Sequence, residues 1–195
     1  MRIGVIGVQG AVTEHIEVVR RALKRLGIEG EVIWIRRKEQ VKKVSALIIP
    51  GGESTTISKL MNRNGLFDTV KSLGESGLPI MGTCAGLILL AKKVLGGAPG
   101  QSFLELLDVD VLRNAYGRQV DSFEASVILS FSEKPFPGVF IRAPKILKVY
   151  GRARPLAFYG REVVGVEQDN LIGLTFHPEL SNDTRLHEYF IEKIR

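Results

Sequence analysis

Along the chain, apolar and polar positions alternate between helical and strand periods in the first half and keep mostly to strand-like runs in the second. Residues 3–8 (Ile-Gly-Val-Ile-Gly-Val) form an apolar strand-like run, and a helical pattern follows from about Val12 to Leu26, closing at Gly27. Two further β-rich runs, 31–36 and 46–49, are nearly continuous in apolar residues, as strands covered on both faces of a parallel sheet are. The third run halts at Pro50-Gly51-Gly52. Glu53-Ser54-Thr55-Thr56 then supplies a carboxylate and hydroxyls suited to starting a helix that runs toward Met61. A second helix near 66–76 leads to a short strand at Pro79-Ile80-Met81, and residues 85–93 read as one almost wholly apolar, deeply buried helix ended by Gly96-Gly97.

From 103 to about 173 the pattern changes to many short β-type segments punctuated by glycine and proline, before a final helix at about 183–194. Strands alternating with helices, then mostly strands, predict an α/β fold: a three-layer, flavodoxin-like arrangement around a mixed, mostly parallel sheet. No repeat of fixed period occurs, which excludes solenoids and propellers.

The 195 residues fit a single domain, 1–195, large enough to bury a core without disulfides or a structural metal. Hydrophobic residues at 45% and charged residues at 25% leave little room for a disordered tail. The first apolar run, broken by Gly4 and Gly7, is too short for a signal peptide or a membrane span, so a cytoplasmic protein is expected. The net charge of +6 raises nucleic-acid binding as a class. However, the basic residues fall in short clusters such as Arg20-Arg21, Arg36-Arg37-Lys38 and Lys92-Lys93 beside amphipathic segments, and these read as solvated faces.

One cysteine is present, which rules out an intramolecular disulfide and the paired spacing of zinc and redox motifs. A lone cysteine beside an apolar helix is ordinarily a small core residue. Here Gly82-Thr83-Cys84-Ala85-Gly86 follows a short strand and opens a helix, matching the nucleophile elbow with cysteine in the reactive place. The small residues at 82 and 86 permit the tight turn, and the helix start favours a thiolate.

Of the three histidines, only His177 has a carboxylate placed to hold it. Residues 171–176 read as a buried strand, so His177 stands at its C-terminal end, the edge where open α/β sheets form their crevices and where Cys84 emerges. In His177-Pro178-Glu179 the proline enforces extension, and residues two apart then share a face. Glu179 can therefore fix one ring nitrogen while the other faces the thiol. His15 and His187 fall on predicted helix faces and are assigned surface or packing roles. The Gly51-Gly52 pair at a strand terminus, with the backbone N–H of Ala85, supplies candidate donors for an oxyanion. Its spacing matches no phosphate-binding loop.

These elements resemble the triad-type, class I glutamine amidotransferases across almost the whole chain. More narrowly, Gly7-Val8-Gln9-Gly10-Ala11-Val12, Pro50-Gly51-Gly52-Glu53-Ser54-Thr55-Thr56, Gly82-Thr83-Cys84-Ala85-Gly86-Leu87, Arg113-Asn114, the segment 117–123, Phe140-Ile141-Arg142-Ala143-Pro144 and Phe176-His177-Pro178-Glu179 are similar to the glutaminase-subunit family of pyridoxal 5'-phosphate synthases. Val8 stands where that family often has leucine, and residues 34–43 are more basic than expected.

The resemblance implies that Cys84 is the nucleophile and that His177 and Glu179 form the relay. It also implies that Gly51, Gly52, Glu53, Arg113, Ile141 and Arg142 contact bound L-glutamine. Arg113 suits the α-carboxylate and Glu53 the α-ammonium group of a free amino acid. No metal or organic cofactor is needed. The implied partner is a (β/α)8-barrel lyase subunit that receives the ammonia in a large assembly and switches the glutaminase on. The early helix and the Gln9-Gly10 edge are expected to contribute to that docking. The alternatives are a glutaminase subunit of another amidotransferase, a small α/β cysteine hydrolase, and a binding subunit with a decayed triad. A site for a free amino acid, rather than a peptide, separates the first two.

Overall fold

The parallel strands are apolar on both faces, and their side chains divide cleanly between two cores. In the computed structural model, which describes residues 1–115 and 122–194, these strands are β1 (Arg2–Ile6), β2 (Glu31–Ile35), β3 (Ala46–Ile49), β4 (Ile80–Thr83) and β12 (Leu171–Leu174). Ile3, Val5, Ala46, Ile48, Met81, Ile172 and Leu174 join one core, with side chains of α1 (Val12–Leu26) and α6 (Arg185–Glu192). Ile6, Leu47, Ile49, Ile80 and Leu171 join the other, with α3 (Ser54–Arg63), α4 (Leu66–Glu75) and α5 (Ala85–Leu90). The period of two along each strand therefore fixes the three layers.

The remaining elements are α2 (Lys38–Val41), β5 (Ala91–Leu95), β6 (Leu107–Leu112), β7 (Ser122–Leu129), β8 (Ser132–Ile141), β9 (Lys145–Val149), β10 (Arg154–Tyr159), β11 (Glu162–Gln168) and a 3-10 turn at Pro178–Leu180. The large sheet has the order β2-β1-β3-β4-β12-β11-β10-β7-β8. It is parallel from β2 to β12 and antiparallel from β12 to β8. The order reverses at β1, between β2 and β3, which opens a crevice above the C-terminal strand ends. Pro135 and Pro137 are tolerated in β8 because it is an edge strand. A smaller sheet, β5-β6-β9, covers part of one face.

One predicted helix is cut short. The apolar pattern over 85–93 reads as continuous helix, but α5 stops at Leu90 and Ala91 turns extended, with φ −64° and ψ 141°. Residues 91–95 then pair in parallel with β6. The long-range ladder outweighs local helix preference here, since a six-residue helix gains little from its own hydrogen bonds. The first helix, in contrast, closes where expected: Gly27 is left-handed at φ 64° and its N–H caps carbonyls of the last turn. Within the segment 117–123 quoted above, residues 117–121 lie outside the described residues.

Candidate active site

Cys84 sits between β4 and α5 with φ 49° and ψ −100°, a conformation costly for any residue with a Cβ. The surroundings hold it there. Its N–H donates to the Leu174 carbonyl at 2.8 Å, tying the turn to β12. A Cβ on Gly82 would lie 2.6 Å from the Gly86 carbonyl carbon, and one on Gly86 would lie 2.1 Å from the Ile49 carbonyl oxygen. Both glycines of the elbow are thus required by close backbone approach. The Cys84 side chain is buried, and its Sγ lies 3.8 Å from the Ile141 carbonyl oxygen at the end of β8. That contact brings the far edge of the large sheet to the Cys84 turn, and the His177 N–H to Val139 carbonyl bond of 2.8 Å fastens the same edge strand.

His177 follows β12, and its Nδ1 lies 2.7 Å from Glu179 Oε1. Burial disfavours the imidazolium, but hydrogen bonds to Cys84 and Glu179 and the charge of both outweigh it, and the His177 pKa is pushed up to about 10. Burial likewise raises Glu179, yet His15 and His177 overcome it and hold the carboxyl below the usual range. With Nδ1 given to the carboxylate, the other ring nitrogen is left to carry a proton toward the sulfur. The Cε1 corner of the ring packs against Gly51, where a Cβ would stand 2.3 Å from His177 Cε1.

A cleft of about 310 Å³ opens over this group. Gly52, Glu53, Cys84, Arg113, Ile141, Arg142 and His177 all line it, so most of the residues expected at the site share one cavity. Glu179 lies behind His177, Gly51 lies against the ring and Ala85 opens α5. A second cavity of about 330 Å³ is lined by Gly77, Leu78, Lys92, Arg152 and Asn170, near the N-terminal ends of β4 and β12 and away from Cys84. Its cations are already paired, Lys92 with Asp108 at 2.5 Å and Arg152 with Asp169 at 2.6 Å.

At the rim, Glu53 caps α3, accepting from the Thr55 N–H at 3.0 Å and from the Thr56 N–H and hydroxyl at 2.7 Å each. Burial works against the charge, but the bonds from Thr56 and Thr55 prevail and lower the Glu53 pKa to about 2. Arg113 donates to Glu53 at 2.5 Å and to the Thr55 hydroxyl at 3.0 Å.

Several residues escaped the motif reading as site components, Ser54 and Ile88 of the cleft lining among them. Gln9 lines the cleft and its Oε1 accepts the Glu53 N–H at 2.9 Å. Asn114 lines it as well, in a left-handed conformation at φ 57°. His15 is fully buried with Nε2 3.3 Å from Glu179 Oε2. Gln9 was legible as the residue before a glycine at a strand end; His15 carries no local signal, since only folding brings its helix to Glu179.

A parallel sheet with a strained cysteine turn and a carboxylate-held histidine at its C-terminal edge is the framework of a class I glutamine amidotransferase. The chain belongs to the SNO glutamine amidotransferase family, whose profile matches residues 5–195. It is 69% identical over 194 residues to "Pyridoxal 5'-phosphate synthase subunit PdxT" of Thermococcus onnurineus, covering 99% of this chain and 98% of the relative. It is 65% identical over 195 residues to the protein of that name from Pyrococcus furiosus, covering 100% and 99%. Among solved structures, "Crystal structure of glutamine amidotransferase" superposes with a TM-score of 0.87 at 44% identity, covering 98% of each chain.

Proposed function

We propose that this chain, as one amidotransferase domain, hydrolyses L-glutamine to L-glutamate and ammonia as the glutaminase subunit of a pyridoxal 5'-phosphate synthase. The observation that carries the reading is the 2.7 Å bond from His177 to the buried Glu179, directly beside Cys84 in a cleft whose rim bears one carboxylate and one guanidinium. That rim suits a zwitterion. The α-carboxylate of glutamine pairs with Arg113 and its α-ammonium group with Glu53, exchanging one protein ion pair for two contacts with substrate. Gly52, Ile141 and Arg142 line the path of the side chain toward Cys84.

In the cycle, the Cys84 thiolate attacks the side-chain amide carbon and the carbonyl oxygen becomes an oxyanion. Backbone N–H groups of Gly51, Gly52 and Ala85 serve as its donors, a contribution on the order of 3 kcal/mol to the barrier for one such donor. His177 gives its proton to the amide nitrogen, the carbon–nitrogen bond breaks, and ammonia leaves a glutamyl thioester. His177, now neutral, takes a proton from water as the water oxygen attacks the thioester carbon. Collapse expels the thiolate and releases glutamate. Glu179 keeps the His177 ring oriented throughout and stabilises its imidazolium form. No step calls for a metal or organic cofactor.

The ammonia is passed to a synthase subunit, which the resemblance makes a (β/α)8-barrel lyase within a larger assembly. Ammonia released into water at neutral pH would be protonated and lost as a nucleophile. Among the described residues no helix is long and apolar enough to cross a membrane, in keeping with a protein that works in the cytoplasm beside its partner.

The test follows glutamate formation from glutamine, with and without the synthase subunit, for wild type and Cys84→Ala. Glutamate should form with wild type and partner, and should fall to background with Cys84→Ala. Equal release by the variant would sink the mechanism.

A further inference from the structure

The chain has one cysteine and three histidines, and all four belong to one connected group. His177 joins Cys84 to Glu179 Oε1. On the far side of the carboxylate, Glu179 Oε2 makes no aligned hydrogen bond but lies 3.3 Å from His15 Nε2. The same nitrogen lies 3.1 Å from the Thr83 hydroxyl, one residue before the nucleophile, and His15 Nδ1 lies 3.3 Å from His187 Nε2. His15 and His187 are both fully buried, on α1 and α6. His187 Nδ1 has no partner among the described residues.

The Glu179 carboxylate 3.3 Å away favours a hydrogen on His15 Nε2, directed at the Thr83 oxygen and lying beside Glu179 Oε2. Neutral His15 then has a bare Nδ1, which accepts from Nε2–H of His187. The lone pair of His187 Nδ1 ends the chain. Protonating His187 would instead leave an unpartnered N–H in the interior. Burial and the neighbouring His15 accordingly lower the His187 pKa to about 3, with Arg21 acting in the same direction and Glu179 against it. Burial lowers His15 too, against Glu179 and Glu14 and with His177. No group of three such side chains among the described residues converges as metal ligands do.

We propose that His15 is a positioning residue for the reaction: bonded to the Thr83 hydroxyl, its Nε2–H is set against the outer oxygen of Glu179, and His187 locks the tautomer that allows it. This rests on the reading of Cys84, His177 and Glu179 as the triad. A carboxylate bonded on one oxygen can rotate; a buried imidazole packed 3.3 Å from the other restricts that rotation. Through its bond to Thr83, His15 also sets the orienting carboxylate beside the strand that delivers Cys84, so the two halves of the triad share a common neighbour.

The test compares full-length wild type, His15→Phe, His15→Gln and His187→Leu. Turnover is measured with the synthase subunit present, and the pH dependence of iodoacetamide alkylation is measured on the chain alone, where the single cysteine makes every adduct a Cys84 adduct. For His15→Phe, kcat should fall roughly 10- to 100-fold, the scale set by outer partners of metal-bound histidines. KM should stay within about twofold because His15 lies outside the cleft. The alkylation midpoint should move to higher pH, since a loosened carboxylate stabilises the imidazolium less. His15→Gln, whose amide N–H reaches the Nε2 position, should recover most of both. A folded His15→Phe with wild-type kcat and an unmoved midpoint would overturn the proposal, as would a glutamine variant impaired as badly as the phenylalanine one. Should His15→Phe fail to fold, His187→Leu decides: a smaller midpoint shift in the same direction supports the proposal and an unmoved midpoint overturns it. Wild type that makes no glutamate would count against the glutaminase reading, while the alkylation series would still judge His15.

Discussion

At the floor of the cleft, His177 and Glu179 are 6% and 4% exposed and joined by a 2.7 Å bond. At its rim, Glu53 and Arg113 are joined at 2.5 Å, yet the Glu53 side chain is 46% exposed. The two pairs look alike on paper and differ in what water does to them. The floor pair is shielded, so each charge depends on its few fixed neighbours, and losing one strands the other. The rim pair is open to solvent on its Glu53 side, so it is screened more than the floor pair and can exchange partners at lower cost. On the proposed function, a reactive group needs the first setting and a substrate handle the second, because an incoming amino acid must displace a protein contact to bind.

The sharpest way to break this contrast is Glu179→Gln, which keeps the shape and removes the charge. It takes away the partner that favours the imidazolium, so kcat should drop about 10³- to 10⁴-fold, the order seen when a triad carboxylate becomes an amide. KM should hardly change, since Glu179 does not line the cleft. Steady-state kinetics with the synthase subunit check this; a loss below tenfold would mean the floor is no more sensitive than the rim. Next in size is Gly51→Ala. Its Cβ would press within 2.3 Å of the His177 ring and displace it, and kcat should fall about 10²-fold, as expected for misplacement on the order of 1 Å. Wild-type kcat in this variant would show that the ring has room to move.

The same contrast separates what the sequence discloses from what it hides. Cys84 and the pair His177 and Glu179 are legible because their placement is encoded locally: glycines at a strand-to-helix turn, and a carboxylate two residues from a histidine across a proline. The parallel strands are legible for a similar reason, since continuous apolar runs imply two covered faces. His15 is not, because a histidine among Val12, Val18 and Val19 on an amphipathic helix looks like packing until α1, α6 and the turn after β12 are brought together. Nor is β5: Ala91-Lys92-Lys93-Val94 continues a helical pattern, and only the partner strand β6, more than ten residues on, draws it into a ladder. Gln9 is intermediate, visible in a motif but given its place only by the Glu53 N–H it receives.

At the rim, Arg113→Ala should act on binding rather than chemistry. KM for glutamine should rise about 10- to 30-fold, the worth of a charge-assisted contact of roughly 1.5–2 kcal/mol, with kcat changed by less than about threefold. Added salt should raise KM for wild type and have less effect on the variant, because screening acts on exposed charges. If the alanine variant lost kcat and kept KM, Arg113 would belong with the floor residues.

The smallest effect tests the comparison most directly, because Glu53→Gln makes at the rim the same chemical change that Glu179→Gln makes at the floor. Glu53 caps α3, and a glutamine cap accepts less well from the Thr55 and Thr56 N–H groups, so stability near pH 7 should fall by about 0.5–1 kcal/mol. The sign of the pH dependence follows from a carboxyl lowered from 4.5 to about 2 by Thr56 and Thr55 against the cost of burial. Its contribution is complete above pH 4.5 and is lost as pH falls through about 2, because the unfolded chain takes up the proton first. The difference in stability between wild type and variant, measured by urea unfolding at several pH values, should therefore be constant above pH 4.5 and shrink below it. A difference of 3 kcal/mol or more, roughly the size expected from breaking a buried pair, would place Glu53 in the shielded setting and collapse the distinction between rim and floor.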